Sequence, residues 1–214
     1  MQRKRRIAIA GSAANPISLG HEEFAEALTH SGLFALVLWF PSGTRTDKPD
    51  LASPEDRVHM TEIVFNEAWR TAQPTAFRID LREAFRPSIP TIQLLREIQQ
   101  EHIDAEIVFA TGVDVLAPRK EYGNRSDVER YWVEGEKLLC DWTFAVFPRE
   151  GYPRPEILQK EGKLPAHFLL LPRSESPAAG ISSTEVRRRV KAGESFDDLV
   201  RPEVAKYIRE HGLY

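Results

Sequence analysis

The sequence predicts an α/β fold in which helices cover both faces of a parallel sheet. Near the start, the apolar residues 7–10 end at Gly11, and helical spacing of apolar residues begins at Gly20, so a strand leads into a helix. Residues 34–40 carry no charge, which is typical of a parallel strand buried on both faces. The length of 214 residues, with 42% hydrophobic and 29% charged side chains, fits a single domain over residues 1–214.

Further along the chain, apolar runs and helical periodicities alternate, as expected for such a fold. The predicted strands are residues 7–10, 34–40, 77–81, 106–110, 143–147 and 167–171, with 77–81 at an edge because polar and apolar residues alternate there. The predicted helices start at Gly20 and cover residues 54–69, 91–101, 127–139, 183–192 and 203–211. The periodicity places on buried helix faces Val58, Ile63, Val64, Ala68, Val128, Tyr131, Trp132, Leu138 and Leu139.

The turn between the first strand and the first helix is the predicted centre of chemistry. It lies at the carboxyl end of a parallel strand, where the small residues 11–14 let a ligand approach the backbone. The free N–H groups of the following helix favour an anion, and phosphate is the expected one. An ordinary strand-to-helix connection also explains the spacing, because neither a Gly-x-Gly-x-x-Gly sequence nor a P-loop is present.

A second candidate for anion binding is the sequence Ile-Ser-Ser-Thr-Glu-Val-Arg at residues 181–187. Its hydroxyls, its helix N–H groups and the Arg187 guanidinium are suited to bind one anion. A helix cap formed by Ser182 or Ser183 explains the same serines equally well.

Composition limits the classes of function. The formal net charge of −3 argues against a general nucleic-acid binder, whose surface is expected to be basic. Residues 1–6 precede an apolar run too short for a signal peptide or a membrane span, so no membrane partner is expected. The single cysteine, Cys140, excludes an internal disulfide, and its apolar neighbours predict a buried thiol in a reducing, cytoplasmic setting.

Residues 11–21, Gly-Ser-Ala-Ala-Asn-Pro-Ile-Ser-Leu-Gly-His, resemble the signature Gly-Gly-x-Phe-Asp/Asn-Pro-x-His-x-Gly-His of nucleotidyltransferases that join a nucleoside triphosphate to a phosphate-bearing acceptor. The matching residues are Asn15, Pro16, Gly20 and His21. Two positions depart from the signature, because Ala14 replaces its Phe and Ser18 replaces its first His.

Four further segments in the same order extend the resemblance to bacterial nicotinate-nucleotide adenylyltransferases, and they are residues 112–116, 144–152, 181–187 and 207–214. The resemblance implies a dinucleotide-binding-like (Rossmann-type) nucleotidyltransferase fold, in which residues 181–214 form a C-terminal helical portion that completes the ATP site. It also implies adenylyl transfer from ATP, with Mg²⁺, to nicotinate or nicotinamide mononucleotide. The products would be the dinucleotide and pyrophosphate, in NAD biosynthesis.

Matched position by position, the resemblance implies roles for individual residues. Ser18 and a protonated His21 would face the reacting phosphate as the catalytic residues. The ATP-binding residues would be Gly11, Ser12, Ala13, Gly20, Ile181, Ser182, Ser183 and Arg187. The mononucleotide-binding residues would be Lys48, Ser88, Thr91, Gly112, Asp114 and Trp132, and no protein residue is assigned to a metal.

Two of these assignments have specific alternatives. Trp132 would stack on the pyridine ring, but packing in the core explains a tryptophan on this helical period equally well. The family's Pro-Ser-Tyr-Thr segment appears as Pro-Ser-Ile-Pro at residues 87–90, so Thr91 would replace the family's Thr only through a one-residue shift.

Two other functions remain open from the sequence. A related nucleotidyltransferase acting on another phosphate ester, such as phosphopantetheine or a polyol phosphate, fits the first motif as well. A nucleotide-binding protein with little catalysis fits the departures at Ala14 and Ser18. The sequence also leaves open the choice between nicotinate and nicotinamide mononucleotide and the oligomeric state, a homo-oligomer included.

Overall fold

The computed structural model describes residues 4–45, 48–172 and 177–214, and strands alternate with helices along them. The strands are β1 (Arg5–Ser12), β2 (Leu36–Pro41), β3 (Ala76–Ile79), β4 (Ala105–Gly112), β5 (Thr143–Phe147) and β6 (His167–Leu170). The α-helices are α1 (Leu19–His30), α2 (Pro54–Val64), α3 (Glu67–Ala72), α4 (Thr91–Glu101), α5 (Asp127–Tyr131), α6 (Gly135–Asp141), α7 (Pro155–Lys160), α8 (Ser183–Ala192) and α9 (Pro202–His211). Short 3₁₀ helices cover Val113–Val115, Lys120–Tyr122 and Pro177–Gly180. Within these described ranges, no helix has both the length and the apolar composition needed to cross a bilayer.

The strands form one sheet in the order β3-β2-β1-β4-β5-β6, and every neighbouring pair is parallel. The predicted parallel sheet is therefore confirmed, with the predicted edge strand, β3, at one end. The strand order reverses between β1 and β4. Open α/β sheets bind ligands at the carboxyl ends of the strands beside such a reversal, so the loops after β1 and β4 frame the predicted ligand edge.

Side chains along the strands alternate between two apolar cores. Ala8 and Ala10 of β1 belong to the core that also contains side chains of α1, α2, α3, α8 and α9. Ile7 and Ile9 belong to the opposite core, which contains side chains of α4, α5, α6 and α7. Helices thus cover both faces of the sheet, as the uncharged central strands predict.

The prediction of one helix over residues 54–69 is wrong in its second half. Helix α2 ends at Val64, and α3 starts after Asn66, whose side-chain Oδ1 accepts a hydrogen bond from the Trp69 N–H at 2.9 Å. This cap starts a new helix with a different phase, so Ala68 is exposed instead of buried while Trp69 is buried.

A second predicted helix, residues 127–139, is also divided in two. Between α5 and α6, Glu134 has the left-handed dihedral angles φ 52° and ψ 36°. The next residue, Gly135, packs so tightly that a Cβ would lie 2.0 Å from the carbonyl oxygen of Val128. Helix α5 ends at Tyr131, before this break, and Tyr131 is 63% exposed instead of buried.

The prediction that Cys140 is buried is wrong as well. The thiol is free and the residue is exposed, whereas Leu138 on the same short helix is fully buried. The apolar neighbours of Cys140 therefore mark the buried face of α6, and the cysteine lies on its other face.

Candidate active site

The loop that follows β1 depends on small residues. A Cβ on Gly11 would lie 2.3 Å from the carbonyl oxygen of Phe40 in β2, so glycine is required for this close approach. The Ser12 hydroxyl accepts a hydrogen bond from the Ala14 N–H at 2.9 Å, and Ala14 has a left-handed φ of 48°. Residues 11–13, predicted to bind ATP, therefore form the carboxyl end of β1 and the start of the loop that follows it.

The N-terminus of α1 holds Ser18 and His21 against each other. Ser18 is the N-cap and only 2% exposed, and its backbone N–H donates to Nδ1 of His21 at 3.1 Å. The Ser18 hydroxyl lies 2.9 Å from the same nitrogen. Because a backbone N–H can only donate, Nδ1 must carry a lone pair and the ring proton of His21 must lie on Nε2.

His21 is thus neutral here, in contrast to the imidazolium expected from the sequence. Burial, together with the nearby Arg149 guanidinium, lowers the pKa of His21 to about 3. A proton on Nδ1 would also remove the acceptor of the Ser18 N–H. Part of His21 remains exposed, so the donor that this residue can offer a ligand is a neutral Nε2–H.

The second motif packs directly on the first. A Cβ on Gly20 would lie 2.3 Å from the carbonyl oxygen of Ile181, so the glycine lets the two segments touch. The Ser183 hydroxyl donates to the carbonyl oxygen of Pro16 at 2.8 Å. The two segments predicted to bind phosphate, far apart in the sequence, are therefore one continuous surface.

Arg187 and Ser182 have different surroundings within this second motif. Arg187 is half-buried, and its Nη1 donates to the carbonyl oxygen of Asn15 at 2.7 Å. Ser182 is exposed and caps α8, because its hydroxyl accepts from the Glu185 N–H at 3.3 Å. The capping interpretation is confirmed for Ser182, whereas Ser183 and Arg187 contact the first motif.

The end of β4 carries Gly112 and Asp114. A Cβ on Gly112 would lie 2.1 Å from Oδ1 of Asp114, so the carboxylate folds back over the strand end. Oδ1 lies 3.6 Å from Nε of Arg149, and both atoms are buried without a hydrogen-bond partner. The carboxylate and the guanidinium attract each other here across a distance longer than a hydrogen bond.

Arg149 was not among the residues predicted for the site. It follows the last residue of β5 by two positions, so it lies at the same edge as Asp114, and it is close enough to His21 to affect the imidazole pKa. It also opposes the rise that burial causes in the pKa of Glu23, whose two carboxylate oxygens are buried without partners. A cation two residues after a predicted strand was the available signal.

The predicted acceptor segment runs beside the loop that follows β2. The Thr44 N–H donates to the carbonyl oxygen of Arg86 at 3.0 Å, and the Ser88 N–H donates to that of Thr44 at 3.0 Å. Gly43 allows this pairing, since a Cβ there would lie 2.0 Å from the Arg86 oxygen. The Ser88 hydroxyl is buried without a partner, and Thr91 is the half-buried first residue of α4.

Trp132 and Lys48 complete the predicted mononucleotide site. Trp132 is half-buried, belongs to the edge of the second core, and meets the Phe109 ring edge-to-face at 5.7 Å between centroids. Core packing of this ring is therefore observed, and stacking on a ligand stays a prediction. Lys48 is exposed, and its neighbours Thr46 and Asp47 lie outside the described residues.

A buried cation behind the first loop was also missed. Arg57 is 1% exposed, and its Nη1 donates to the carbonyl oxygens of Ala13 at 2.9 Å and Ser42 at 2.7 Å. Burial lowers the pKa of Arg57. Its helical phase was the available signal, because Arg57 precedes the buried residues Thr61 and Val64 by one and two turns of α2.

A family model described as cytidylyltransferase-like matches residues 9–189. A protein from Synechococcus sp. (strain JA-2-3B'a(2-13)) named "Probable nicotinate-nucleotide adenylyltransferase" is 32% identical over 214 residues, which cover 98% of this chain and 97% of the relative. One of the same name from Thermus thermophilus is 32% identical, with coverage of 98% and 99%. The chain belongs to the nicotinate-nucleotide adenylyltransferase family.

A solved structure of Plasmodium falciparum nicotinic acid mononucleotide adenylyltransferase complexed with NaAD superposes with a TM-score of 0.81 at 23% identity, covering 98% of this chain and 97% of the other. At that identity the likeness concerns the fold, and it confirms the predicted nucleotidyltransferase fold. Membership in the family also confirms the resemblance read from the five sequence segments, and it makes the protein a nucleotidyltransferase.

Proposed function

We propose that this protein transfers the adenylyl group of ATP to nicotinate mononucleotide, giving the dinucleotide and pyrophosphate in NAD biosynthesis. Relatives that match almost the whole chain carry the name of this activity. The structural observation that carries the proposal is the packing of residues 181–187 on residues 11–21, in which Gly20, the neighbour of His21, contacts Ile181. Nicotinamide mononucleotide is the alternative acceptor.

The reaction is a direct displacement. An oxygen of the mononucleotide phosphate attacks the α-phosphorus of ATP, the bond from that phosphorus to the bridging oxygen breaks, and pyrophosphate leaves with the electron pair. The enzyme needs no covalent intermediate. It has to bring two anions together and stabilise the charge that develops on the transferred group.

On the ATP side, the proposed ligands are the backbone N–H groups of residues 11–13 and the N-terminal groups of α8 with Arg187. The neutral Nε2–H of His21 would donate to an oxygen of the α-phosphate. Ser18 would act through His21, since both its N–H and its hydroxyl contact Nδ1. A donor held in place before the reaction requires no reorganisation as charge develops.

On the acceptor side, Asp114 is proposed to accept hydrogen bonds from nucleotide hydroxyls, because its buried Oδ1 has no partner. The Ser88 hydroxyl is available in the same way. The core covers only part of the Trp132 ring, and the exposed part would stack on the pyridine. Arg149, which faces Asp114 and influences His21, would add positive charge where the two substrates' phosphates meet.

Magnesium is proposed to enter bound to ATP. Mg²⁺ usually keeps several waters and is held by one or two carboxylates together with substrate phosphates. Residues 4–45, 48–172 and 177–214 contain no group of three or more His, Cys, Asp and Glu side chains arranged to hold a metal. When bound, the ion would neutralise charge on the leaving pyrophosphate.

A cytoplasmic location is part of the same proposal. The one cysteine, Cys140, is a free thiol on the surface, and such a thiol suits a reducing compartment. Fractionation of the source cells with detection of the native protein tests this part by itself.

An acceptor screen tests the proposed function. Purified protein with MgATP is offered nicotinate mononucleotide, nicotinamide mononucleotide and phosphopantetheine in turn, and released pyrophosphate is measured against a reaction without acceptor. We expect release with a pyridine mononucleotide, with nicotinate preferred. Pyrophosphate release with phosphopantetheine alone would show that the enzyme uses a different acceptor. ATP binding without pyrophosphate release would show that the protein binds nucleotides without catalysing transfer.

A further inference from the structure

Asn15, in the loop after β1, has both ends of its side-chain amide bonded. The residue is 4% exposed. Its Oδ1 accepts from the Ala52 N–H at 2.9 Å and from the Tyr214 hydroxyl at 2.9 Å, and its Nδ2 donates to the carbonyl oxygen of Asp50 at 3.3 Å. The amide therefore joins three segments: the first loop, the loop before α2, and the segment that follows α9.

Tyr214 reaches Asn15 from the C-terminal segment. The chain leaves α9 through Gly212 in the left-handed conformation, and Leu213 and Tyr214 pack against the first core. Burial raises the pKa of the Tyr214 phenol, and the nearby guanidiniums of Arg187 and Arg57 oppose that rise. The phenol is consequently protonated at neutral pH and able to donate.

The same asparagine also holds Arg187, the residue proposed to bind the ATP phosphates. Arg187 donates to the backbone oxygen of Asn15 at 2.7 Å, while Tyr214 donates to its side-chain oxygen. Arg57 fixes the preceding part of the loop through the oxygen of Ala13. The Tyr214 phenol and the Arg187 guanidinium thus hold the first loop from the C-terminal portion, and the Arg57 guanidinium holds it from α2.

We infer that Tyr214 is a positioning residue for the ATP site: its hydroxyl orients Asn15, and through Asn15 the loop of residues 11–16 and the guanidinium of Arg187. The inference deepens the proposed function and rests on it. A purely structural role would make the hydroxyl important for stability alone. A positioning role makes ATP binding depend on a group that contacts no substrate.

The test compares Tyr214→Phe with the matched control Tyr207→Phe. The Tyr207 hydroxyl donates to Oδ1 of Asp56 at 2.8 Å from the preceding helix, α9, so the control removes an equivalent hydrogen bond without touching Asn15. The Kd of a non-hydrolysable ATP analogue with Mg²⁺ is measured by calorimetry, together with KM, kcat and Tm. We expect Tyr214→Phe to raise the Kd by about 2- to 12-fold, the equivalent of one hydrogen bond, with the Kd of the control unchanged.

A double-mutant cycle tests whether the effect passes through Asn15. In an Asn15→Ala background, Tyr214→Phe should no longer change the Kd, because the acceptor of its hydroxyl is gone. Should Asn15→Ala fail to fold, Arg187→Ala provides the second background, in which the Tyr214→Phe effect on the Kd should shrink.

Three results would overturn the inference. They are equal Kd values for Tyr214→Phe and Tyr207→Phe, a full Tyr214→Phe effect in both backgrounds, and a change confined to Tm. If wild-type protein transfers the adenylyl group and any of these is seen, this inference falls alone. If wild-type protein does not bind the analogue, the proposed function falls with it.

Discussion

The backbone N–H of Ser18 donates to Nδ1 of His21, and this one contact fixes the tautomer of the imidazole at the N-terminus of α1. The position that departs from the family signature is therefore in contact with the histidine that matches it. The contact does not require a histidine at position 18, since a backbone group provides it. With serine at position 18, the backbone can still orient His21, the second histidine of the family signature.

Substitutions at Ser18 should separate the backbone contact from the hydroxyl contact. Ser18→Ala keeps the N–H and loses the hydroxyl, so we expect kcat to fall by the value of one hydrogen bond, about 0.5–1.5 kcal/mol, or 2- to 12-fold. Ser18→Thr should remain near wild type. Single-turnover rates measure both, and a wild-type rate for Ser18→Ala would remove the hydroxyl from the chemistry.

Ser18→His, which restores the histidine of the family signature, should destabilise the protein for a steric reason. Ser18 is 2% exposed, and a larger ring in a filled site costs about 1–3 kcal/mol of stability. Denaturant unfolding of Ser18→His beside Ser18→Thr measures that loss. Unchanged stability with a higher kcat would show that the pocket accepts the ring.

The low pKa of His21 predicts a pH dependence of stability. In the unfolded chain the imidazole titrates near its ordinary value of about 6.5, and in the folded protein at about 3. Between these values the unfolded state binds one more proton, so the free energy of unfolding falls as pH decreases, by about 1.4 kcal/mol per pH unit. Denaturant titrations at pH 7 and pH 5 should show a smaller decrease for His21→Asn than for wild type, and parallel decreases would contradict the burial of a neutral imidazole.

Much of the fold followed from local patterns in the sequence, whereas the helix breaks did not. Apolar runs locate the strands, because a strand that is buried on both faces consists of a nearly continuous run of apolar residues. The breaks at Asn66 and Glu134 depend on a side-chain cap and on a glycine packed against a backbone oxygen, which helical periodicity does not contain. Cys140 was misplaced for another reason, since its burial was predicted from apolar neighbours that lie on the other face of α6.

For the site, the sequence motifs identified segments, and the structure identified the contacts between them. The resemblance selected Ser183 and Arg187, but their bonds to Pro16 and Asn15 appear only in the fold. Arg149 lies within the matching segment 144–152 but was assigned no role, because its partner, Asp114, follows a different strand. Ion pairs between residues at the ends of different strands depend on the order of strands in the sheet, and the motifs of a single sequence do not specify that order.

Arg187→Ala should weaken ATP binding more than it slows the chemical step. A charge-assisted contact to phosphates is present in the ground state and in the transition state, so its loss raises the KM for ATP with kcat less affected. Loss of the bond to Asn15 should also lower stability by about 0.5–1.5 kcal/mol. The matched control is Arg188→Ala, which removes an exposed arginine paired with Glu185 and Glu194. An equal rise in the KM for ATP in both variants would show that Arg187 does not bind ATP.

Trp132 can be tested for ligand stacking separately from core packing. Trp132→Phe keeps an aromatic face against Phe109, and Trp132→Ala removes it. If the ring also stacks on the pyridine, Trp132→Ala should raise the KM for the mononucleotide by an amount equivalent to about 0.5–1.5 kcal/mol beyond any change in the KM for ATP. A large loss of Tm with both KM values unchanged would show that Trp132 acts only in the core.

The most direct measurement is the single-turnover rate of dinucleotide formation from MgATP and nicotinate mononucleotide, followed by chromatography, for wild type, His21→Ala and the exposed-residue control His59→Ala. If the His21 Nε2–H stabilises the developing charge, His21→Ala should fold normally and react about 10²- to 10³-fold more slowly, or about 2.7–4 kcal/mol in barrier, while His59→Ala matches wild type. Dinucleotide formation at the wild-type rate by folded His21→Ala, or none by the wild type, would contradict adenylyl transfer at this site.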